Sequence, residues 1–356
     1  MKTFEEVVQG IRPADAKAIK AAEEYMDCLI KPLGSLGKLE DMAIKMAGIT
    51  GQVKNAPEKR CSIVMSADNE ICEEGVSGSP QDITIMLTEH MAKGVCGMGT
   101  LSAYANADLK IVDIGIRTDV DNPNIINRKI RYGAANFAKG PAMTREEAIR
   151  AMEVGIEMVG KAVEEGYEIL GTGEMGIGNT SSTSAILMCL TGLSAEVAVG
   201  KGGGLTDEAL IHKKEVITKA LELNRPDPND PIDVLSKVGG LDIAGMAGCF
   251  LAAAYYRIPI VIDGVISAVS ALVAYRINPL VKDFMFSSHH SIEPAYDLIM
   301  KELGMEPILD LNMRLGEGTG CPLAFHIIGS ACYMMSHMYT FEQFQHDQTY
   351  RIDLRK

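Results

Sequence analysis

The stretch YEILGTGEMGIGNTSS, residues 167–182, runs from a short apolar segment through a glycine-rich segment into small polar residues. Its first part, Tyr167–Gly171, is short and apolar on both faces, which is typical of a strand buried in the centre of a parallel sheet. The glycines and small polar residues suit a tight turn and the first turn of a helix. The stretch therefore predicts a strand, a loop and a helix in succession, which is the unit that builds α/β folds.

Other apolar runs share this pattern and end in glycine, serine or aspartate: Cys61–Ser66, Leu109–Gly115, Ile258–Gly264 and Asp283–Ser287. Helical patterns lie between them. The clearest begins at Thr144, where Glu147 three residues later completes a capping-box sequence. Strands that alternate with helices predict an α/β fold, here a Rossmann-like parallel sheet flanked by helices. In such sheets the functional residues lie at the carboxyl ends of the strands.

The two ends of the chain differ from the middle. Residues 1–50 and the segment after Gly320 show helical patterns without strands. We expect residues 1–50 and 321–356 to pack together as a smaller helical domain, and residues 51–320 to form a large α/β domain. The proline-rich segment Asn224–Pro231 is expected to be a connection on the surface.

The chain is acidic, with 34 Lys and Arg against 47 Asp and Glu among 356 residues, a net charge of −13. This balance argues against nucleic acid or an anionic membrane as a partner, because phosphate surfaces attract a cationic face. The sequence has no apolar run long enough to cross a membrane and no secretory signal in Met1–Glu6. Its eight cysteines include no Cys-x-x-Cys pair. We therefore expect a cytoplasmic protein with buried thiols and no zinc site.

The glycine-rich segment Gly171–Ser182 favours an anionic ligand, because glycine amides and a helix N-terminus can hold a phosphate. It formally contains Gly-x-Gly-x-x-Gly, the dinucleotide fingerprint. The acidic residue about twenty positions later should end a second strand, and Glu196 does not. A phosphate or nucleotide loop and a plain strand–helix turn both remain open. Glu174 within this loop either takes part in catalysis or caps neighbouring amides.

Two further glycine-rich loops carry charged residues. Gly200–Asp207, followed by Lys213, suits an anionic ligand, although flexible surface turns have the same composition. In Met313–Gly320, Glu317 is flanked by glycines, so it is either a general base that approaches a ligand closely or an exposed turn residue.

Metal chemistry is not supported by the remaining motifs. In Ser288–Pro294 the adjacent histidines point apart and no further ligand stands at metal spacing. A serine hydrolase would need a Gly-x-Ser-x-Gly elbow, which is absent. Val261–Gly264 has a single aspartate after a predicted strand, not the acidic pair that holds a sugar diphosphate with Mg²⁺. We expect no metal and no cofactor.

Four motifs occur in one order along the chain: Lys31–Glu40, Gly173–Thr180, Ser288–Pro294 and Met313–Gly320. Together they resemble the hallmarks of the nicotinate-nucleotide–dimethylbenzimidazole phosphoribosyltransferase family, which assembles the lower ligand of cobalamin. The resemblance implies transfer of phosphoribose from nicotinate mononucleotide to a base such as 5,6-dimethylbenzimidazole. The products would be α-ribazole 5′-phosphate and nicotinate. It also implies a homodimer whose smaller domain is built from both chain ends.

The resemblance also assigns roles to residues. It makes Glu317 the base and gives Glu174 an assisting role. The 5′-phosphate would be held by the amides of Gly176, Gly178, Asn179, Thr180 and Ser181, by the loop with Gly202 and Gly203, and by Lys213. The nicotinate and ribose end would meet Ser291 and Arg314, and further substrate contacts are expected from Ser79, Pro80, Met86 and Leu315.

The chain departs from the family pattern in one region. Asn69 and Glu70 stand where Asp-His-Gly is usual, Gly133 lacks its following threonine, and Met86 replaces a base-pocket glutamine. If Met86 lines the base pocket, the preferred base is not dimethylbenzimidazole; if it belongs to a helix core, the change is neutral. The departures also leave open a non-catalytic paralogue, or one subunit of a heteromeric enzyme acting on phenolic bases. A nicotinamide-dependent oxidoreductase is a third hypothesis, but the sequence lacks the ribose-binding acid that such an enzyme needs.

Overall fold

The computed structural model describes residues 2–345 and 351–355. Its main sheet has six strands in the order β3-β2-β1-β4-β5-β6, and every neighbouring pair is parallel. The strands are β1 Arg60–Ala67, β2 Ala107–Gly115, β3 Ile125–Asn127, β4 Ile169–Met175, β5 Ile260–Ile262 and β6 Met285–Ser287. Each of the five predicted apolar runs overlaps one of these strands, so the predicted α/β class with a parallel sheet is confirmed.

Three strands were not predicted. One is β3 at the edge of the main sheet. The other two, β7 His289–Ser291 and β8 Leu309–Met313, form a separate parallel pair. All three are short, and β3 and β8 are partly or largely exposed, so they lack the continuous apolar pattern that marks a central strand.

The described residues form fifteen α-helices. They are α1 Phe4–Gly10, α2 Ala16–Cys28, α3 Lys38–Thr50, α4 Ile83–Ala92, α5 Gly97–Tyr104, α6 Arg145–Glu164, α7 Asn179–Thr191, α8 Ala195–Ala198, α9 Asp207–Asn224, α10 Pro231–Val238, α11 Leu241–Tyr256, α12 Val265–Ile277, α13 Tyr296–Leu303, α14 Gly320–His337 and α15 Phe341–Phe344. The capping box predicted at Thr144 is present at the start of α6. No helix in the described ranges is both long and apolar enough to cross a bilayer.

Helix α11 is buried along most of its length and packs closely against α6. The close contact depends on glycine: a Cβ on Gly248 would lie 1.9 Å from the carbonyl oxygen of Met152 on α6. That oxygen belongs to the backbone of a buried helix, so it moves only if the helix moves.

Gly248→Ala is therefore expected to lower the free energy of unfolding by about 3 kcal/mol. Urea denaturation followed by circular dichroism measures the change. Gly140→Ala is the matched control, because a Cβ there meets nothing within 4 Å. We expect that control to stay within about 1 kcal/mol of the parent protein. A Gly248→Ala variant as stable as the control would contradict the packing described here.

The two chain ends lie against each other. Helix α3 packs against α14, and isolated bridges join Leu29 to Thr340 and Leu33 to Asp353. Helix α14 also packs against β4 and β5, and α1 packs against α6 and α11. The ends therefore contact both each other and the α/β layers, and their division into a separate helical domain stays a prediction.

Candidate active site

A cavity of about 300 Å³ opens at the carboxyl ends of β4 and β5, where the α/β rule places functional residues. It brings together segments that are far apart in sequence: the loop after β4, the loop after β5, the end of β7 and the loop after β8. A larger cleft of about 520 Å³ lies at the opposite edge, where β1, β4 and β5 begin. We assign the active site to the smaller cavity, because the candidate carboxylates line it.

Most of the residues predicted from sequence line this cavity: Ser79, Glu174, Gly176, Gly178, Asn179, Thr180, Gly202, Gly203, Ser291, Arg314, Leu315 and Glu317. Four predicted residues do not: Pro80, Met86, Ser181 and Lys213. Pro80 neighbours a lining residue. Ser181 is buried in the first turn of α7.

Strand β4 is longer than predicted, and this changes the interpretation of the glycine-rich segment. The strand continues to Met175, so Glu174 lies in the strand, and the loop is only Gly176–Gly178. Glycine is needed within the strand because another chain segment crosses it closely. A Cβ on Gly173 would lie 2.3 Å from the carbonyl oxygen of Glu317. The first two glycines of the formal dinucleotide fingerprint, Gly171 and Gly173, therefore serve close packing of the strand.

The predicted cradle of amides is partly used within the protein. The amides of Asn179 and Ser181 donate to the carbonyls of the two loop glycines, at 3.0 and 2.9 Å. The amide of Ile177 donates to the hydroxyl of Thr84 at 3.1 Å. The amide of Ser181 is thus already used within the protein, and an anion here would depend more on nearby side chains than the sequence suggested.

Lys213 supplies the positive charge next to this loop. It extends from α9 and is buried, with Nζ donating to Thr180 Oγ1 at 2.8 Å and to the carbonyl of Gly200 at 3.3 Å. Burial lowers the pKa of Lys213 to about 8, although the carboxylate of Glu293 opposes this shift. Thr180 lines the cavity, so the ammonium group lies directly behind its wall.

Glu317 is buried at the cavity wall, so the alternative of an exposed turn residue is wrong. Its Oε2 accepts a hydrogen bond from the amide of Met98 at 2.9 Å. Met98 lies in the first turn of α5, and the partial positive charge of a helix N-terminus attracts a carboxylate. The carboxyl group of Glu317 is thus held beside the cavity.

Glu174 lies in β4 and contacts the backbone of Glu317 in the loop after β8. Its Oε1 accepts from the amide of Glu317 at 3.2 Å, and its Oε2 accepts from Asn179 Nδ2. The same Asn179 nitrogen donates to Asp242 Oδ2 at 2.9 Å, so one amide group joins two buried carboxyl groups. Burial and, to a smaller extent, the charge of Asp242 together raise the pKa of Glu174 to about 8.

Sequence reasoning missed two acids and undervalued a histidine. Asp242 lies in the first turn of α11, and burial raises its pKa to about 6. Asp263 follows β5, and burial raises its pKa to about 7. His289 lines the cavity, and burial lowers its pKa to about 4, so it is neutral near pH 7. The sequence contained one signal for Asp263, its position directly after a predicted strand. It contained no such signal for Asp242.

Met86 does not line this cavity. Ile83 and Leu87, four residues apart on α4, line the cavity. Met86 lies one residue before Leu87 and projects about 100° away around the helix. It is 42% exposed, so the helix-core alternative is wrong, and a role of Met86 at the base stays a prediction.

Comparison with known proteins shows the family to which the chain belongs. The family model described as phosphoribosyltransferase matches residues 11–345. A nicotinate-nucleotide–dimethylbenzimidazole phosphoribosyltransferase from Clostridium tetani is 50% identical over 100% of this chain and 99% of its own length. The chain belongs to this phosphoribosyltransferase family. A relative of the same name from Acetivibrio thermocellus is 54% identical over 90% of this chain and 91% of its own.

Solved structures agree with this assignment. A phosphoribosyltransferase of the same name from Thermus thermophilus aligns with a TM-score of 0.88 and 35% identity, covering 93% of this chain and 98% of its own. A structure named CobT from the same organism aligns at 0.89, with 93% and 99% coverage. The resemblance drawn from the four motifs is confirmed, and the chain is a phosphoribosyltransferase.

The buried carboxyl groups give this phosphoribosyltransferase a testable pH dependence. The raised pKa of Glu174 means that the folded protein keeps a proton which the unfolded chain releases above about pH 4.5. Its contribution to the free energy of unfolding therefore falls as pH rises from about 5 to 8. His289 has a lowered pKa and acts in the opposite sense below pH 6.5, so a difference between variants is the useful quantity.

Glu174→Gln is expected to become more stable relative to the parent as pH rises from 5 to 8, by on the order of 3 kcal/mol. Urea unfolding at several pH values measures this difference. Glu306→Gln, at an exposed glutamate, is the control and should show no such trend. A pH-independent difference for Glu174→Gln would show that Glu174 is ionised throughout.

Proposed function

We propose that this transferase moves the phosphoribosyl group of nicotinate mononucleotide to a benzimidazole-type base. The products are nicotinate and an α-ribazole 5′-phosphate type nucleotide for the lower ligand of a cobamide. The observation that carries the proposal is the pairing in one cavity of a buried glutamate, Glu317, with a lysine, Lys213, behind the wall near Thr180. The carboxyl group of Glu317 can remove a proton from the base, and the ammonium group of Lys213 can bind a phosphate. The names of the relatives support the choice of substrates.

The reaction needs groups of these kinds. The nitrogen of the incoming base attacks C1′ as the bond from C1′ to the pyridinium nitrogen breaks. The bonding electrons leave with nicotinate, which becomes a neutral pyridine ring. Attack from the opposite face inverts the β configuration to α. The new imidazolium then loses its ring proton to Glu317, and a carboxylate also stabilises the positive charge that develops on the ribose.

The walls suit the two substrates differently. The cavity has an apolar surface that can hold a flat aromatic base, formed by Ile83, Leu87, Ile177 and Val265. Arg314 is exposed at the mouth and offers a cation for the carboxylate of nicotinate. Ser291 and Ser79 add hydroxyl groups near the ribose.

A base panel tests the proposal directly. The pure protein is incubated with nicotinate mononucleotide and one base at a time, without added metal. Nicotinate release and the α-glycoside are followed by mass spectrometry. Turnover with benzimidazoles supports the proposal, whereas no turnover with any base would show that the chain needs a partner subunit or other substrates.

The same panel, run in competition, tests the base preference. The prediction that dimethylbenzimidazole is not preferred relied on Met86, which lies outside the cavity of this chain. A clear preference for dimethylbenzimidazole would reject the prediction, and a preference for another benzimidazole, a purine or a phenol would support it.

We further infer a homodimer in the cytoplasm. Two large aromatic side chains, Tyr104 on α5 and Tyr333 on α14, are 82% and 62% exposed. His326, seven residues before Tyr333 on α14, contacts the Tyr104 ring, so these residues share one face. Such a face suits burial against a second copy. All eight cysteines are free thiols, as is usual in a reducing compartment.

A further inference from the structure

Asp263 contacts the loop that carries Glu317. It follows β5 and is 2% exposed. Its Oδ1 accepts from the amide of Gly320 at 2.7 Å, and its Oδ2 accepts from the amide of Gly318 at 3.0 Å. These amides lie one and three residues after Glu317, so both oxygens of one buried carboxyl group are used on this loop.

The loop has a conformation that requires outside support. Gly316, Glu317 and Gly318 are consecutive residues with φ of 82°, 64° and 101°. A non-glycine residue such as Glu317 rarely adopts a positive φ, and it does so where the surroundings fix it. Glu174 accepts the amide of Glu317 itself, so two buried carboxyl groups together hold three amides of this loop.

We propose that Asp263 is a positioning residue for the transfer reaction: it fixes the 316–320 backbone so that Glu317 faces the cavity. This rests on the proposed function, in which Glu317 is the base. Asp263 also binds the first amide of α14, where Thr319 provides no side-chain cap, so a purely structural role is the competing explanation.

Asp263→Asn separates these roles. The amide keeps the size of the carboxyl group but places an NH₂ against one backbone N–H, so one of the two contacts is lost. We expect kcat to fall about 100-fold, because small displacements of a reacting group have effects of this size. The KM for nicotinate mononucleotide should change little, since Lys213 and Arg314, to which we assign the phosphate and the nicotinate carboxylate, lie on other segments of the chain. Asp121→Asn, at an exposed aspartate, is the matched control.

A double variant provides the decisive measurement. If Asp263 acts through Glu317, Asp263→Asn/Glu317→Gln should be no slower than Glu317→Gln alone. A further loss in the double variant, multiplying the two single effects, would overturn the positioning role. A KM that rises while kcat is unchanged in Asp263→Asn would overturn it as well.

Hydrogen exchange distinguishes failure of this proposal from failure of the proposed function. The amides of Gly318 and Gly320 should exchange faster in Asp263→Asn and at the normal rate in Glu317→Gln. Normal exchange in Asp263→Asn, with Glu317→Gln still slow in catalysis, overturns the positioning role alone. Full activity of Glu317→Gln overturns the base assignment, and this proposal with it.

A milder variant covers the case in which Asp263→Asn does not fold. Ser267 Oγ accepts the backbone amide of Asp263 at 3.1 Å. Ser267→Ala therefore loosens Asp263 without removing its carboxyl group. We expect a smaller loss in kcat that disappears when it is measured in the Glu317→Gln background. A loss that persists there would contradict the proposal.

Discussion

Replacing Glu317 with glutamine is expected to lower kcat by about 10²- to 10⁴-fold, the usual contribution of a general base. Glutamine has nearly the same shape and can still accept the hydrogen bond from the amide of Met98 that holds Glu317 in place. It cannot take the proton that the new imidazolium must lose. Because the nucleotide is bound by other groups, its KM should stay nearly constant.

Steady-state kinetics with nicotinate mononucleotide and a benzimidazole measures this effect, with Glu306→Gln as the control. If Glu317→Gln keeps its kcat, the base is another group, and Glu174 is the candidate to test next. Glu174→Gln would then be the slow variant. Since burial keeps Glu174 protonated below about pH 8, its activity as a base would appear only at high pH.

The fold was predictable because its central strands are buried on both faces. β1 and β4 are apolar or small at almost every position, and this leaves a signal in the sequence. β8 is largely exposed and carries no such signal. The predicted strand ended at Gly171, whereas β4 continues to Met175. Glycine in a strand and glycine in a loop look alike until the crossing segment, here the backbone at Glu317, is known.

The site was predicted only where a sequence motif contained the functional residue. Motifs with glycine and a charged residue identified Glu174, Glu317 and Lys213. Asp263 follows a predicted strand, so its position could have been found from the sequence, whereas Asp242 reaches the site only through the packing of α11. Whether Met86 lines the cavity depends on how α4 is rotated about its axis. The sequence does not show this rotation, because α4 is apolar on several faces.

Replacing Lys213 with methionine is expected to raise the KM for nicotinate mononucleotide by about 10- to 100-fold, with a smaller effect on kcat. A charge-assisted hydrogen bond contributes about 1.5–3 kcal/mol, and each 1.4 kcal/mol is a factor of ten. Methionine keeps most of the buried aliphatic stem, so packing around α9 should persist. Lys214→Met is the matched control, because the neighbouring lysine pairs with Glu196, whereas Lys213 contacts Thr180 at the cavity.

A substrate without the phosphate shows whether Lys213 acts on that group. Nicotinate riboside should have the same KM with the parent and with Lys213→Met, whereas equal rises for riboside and mononucleotide would place the phosphate elsewhere. The pH dependence supplies a second comparison. Burial lowers the pKa of Lys213 to about 8, so the charged form is present below that pH and is lost above it. The KM of the parent for the mononucleotide should therefore rise above pH 8, and that of Lys213→Met should not.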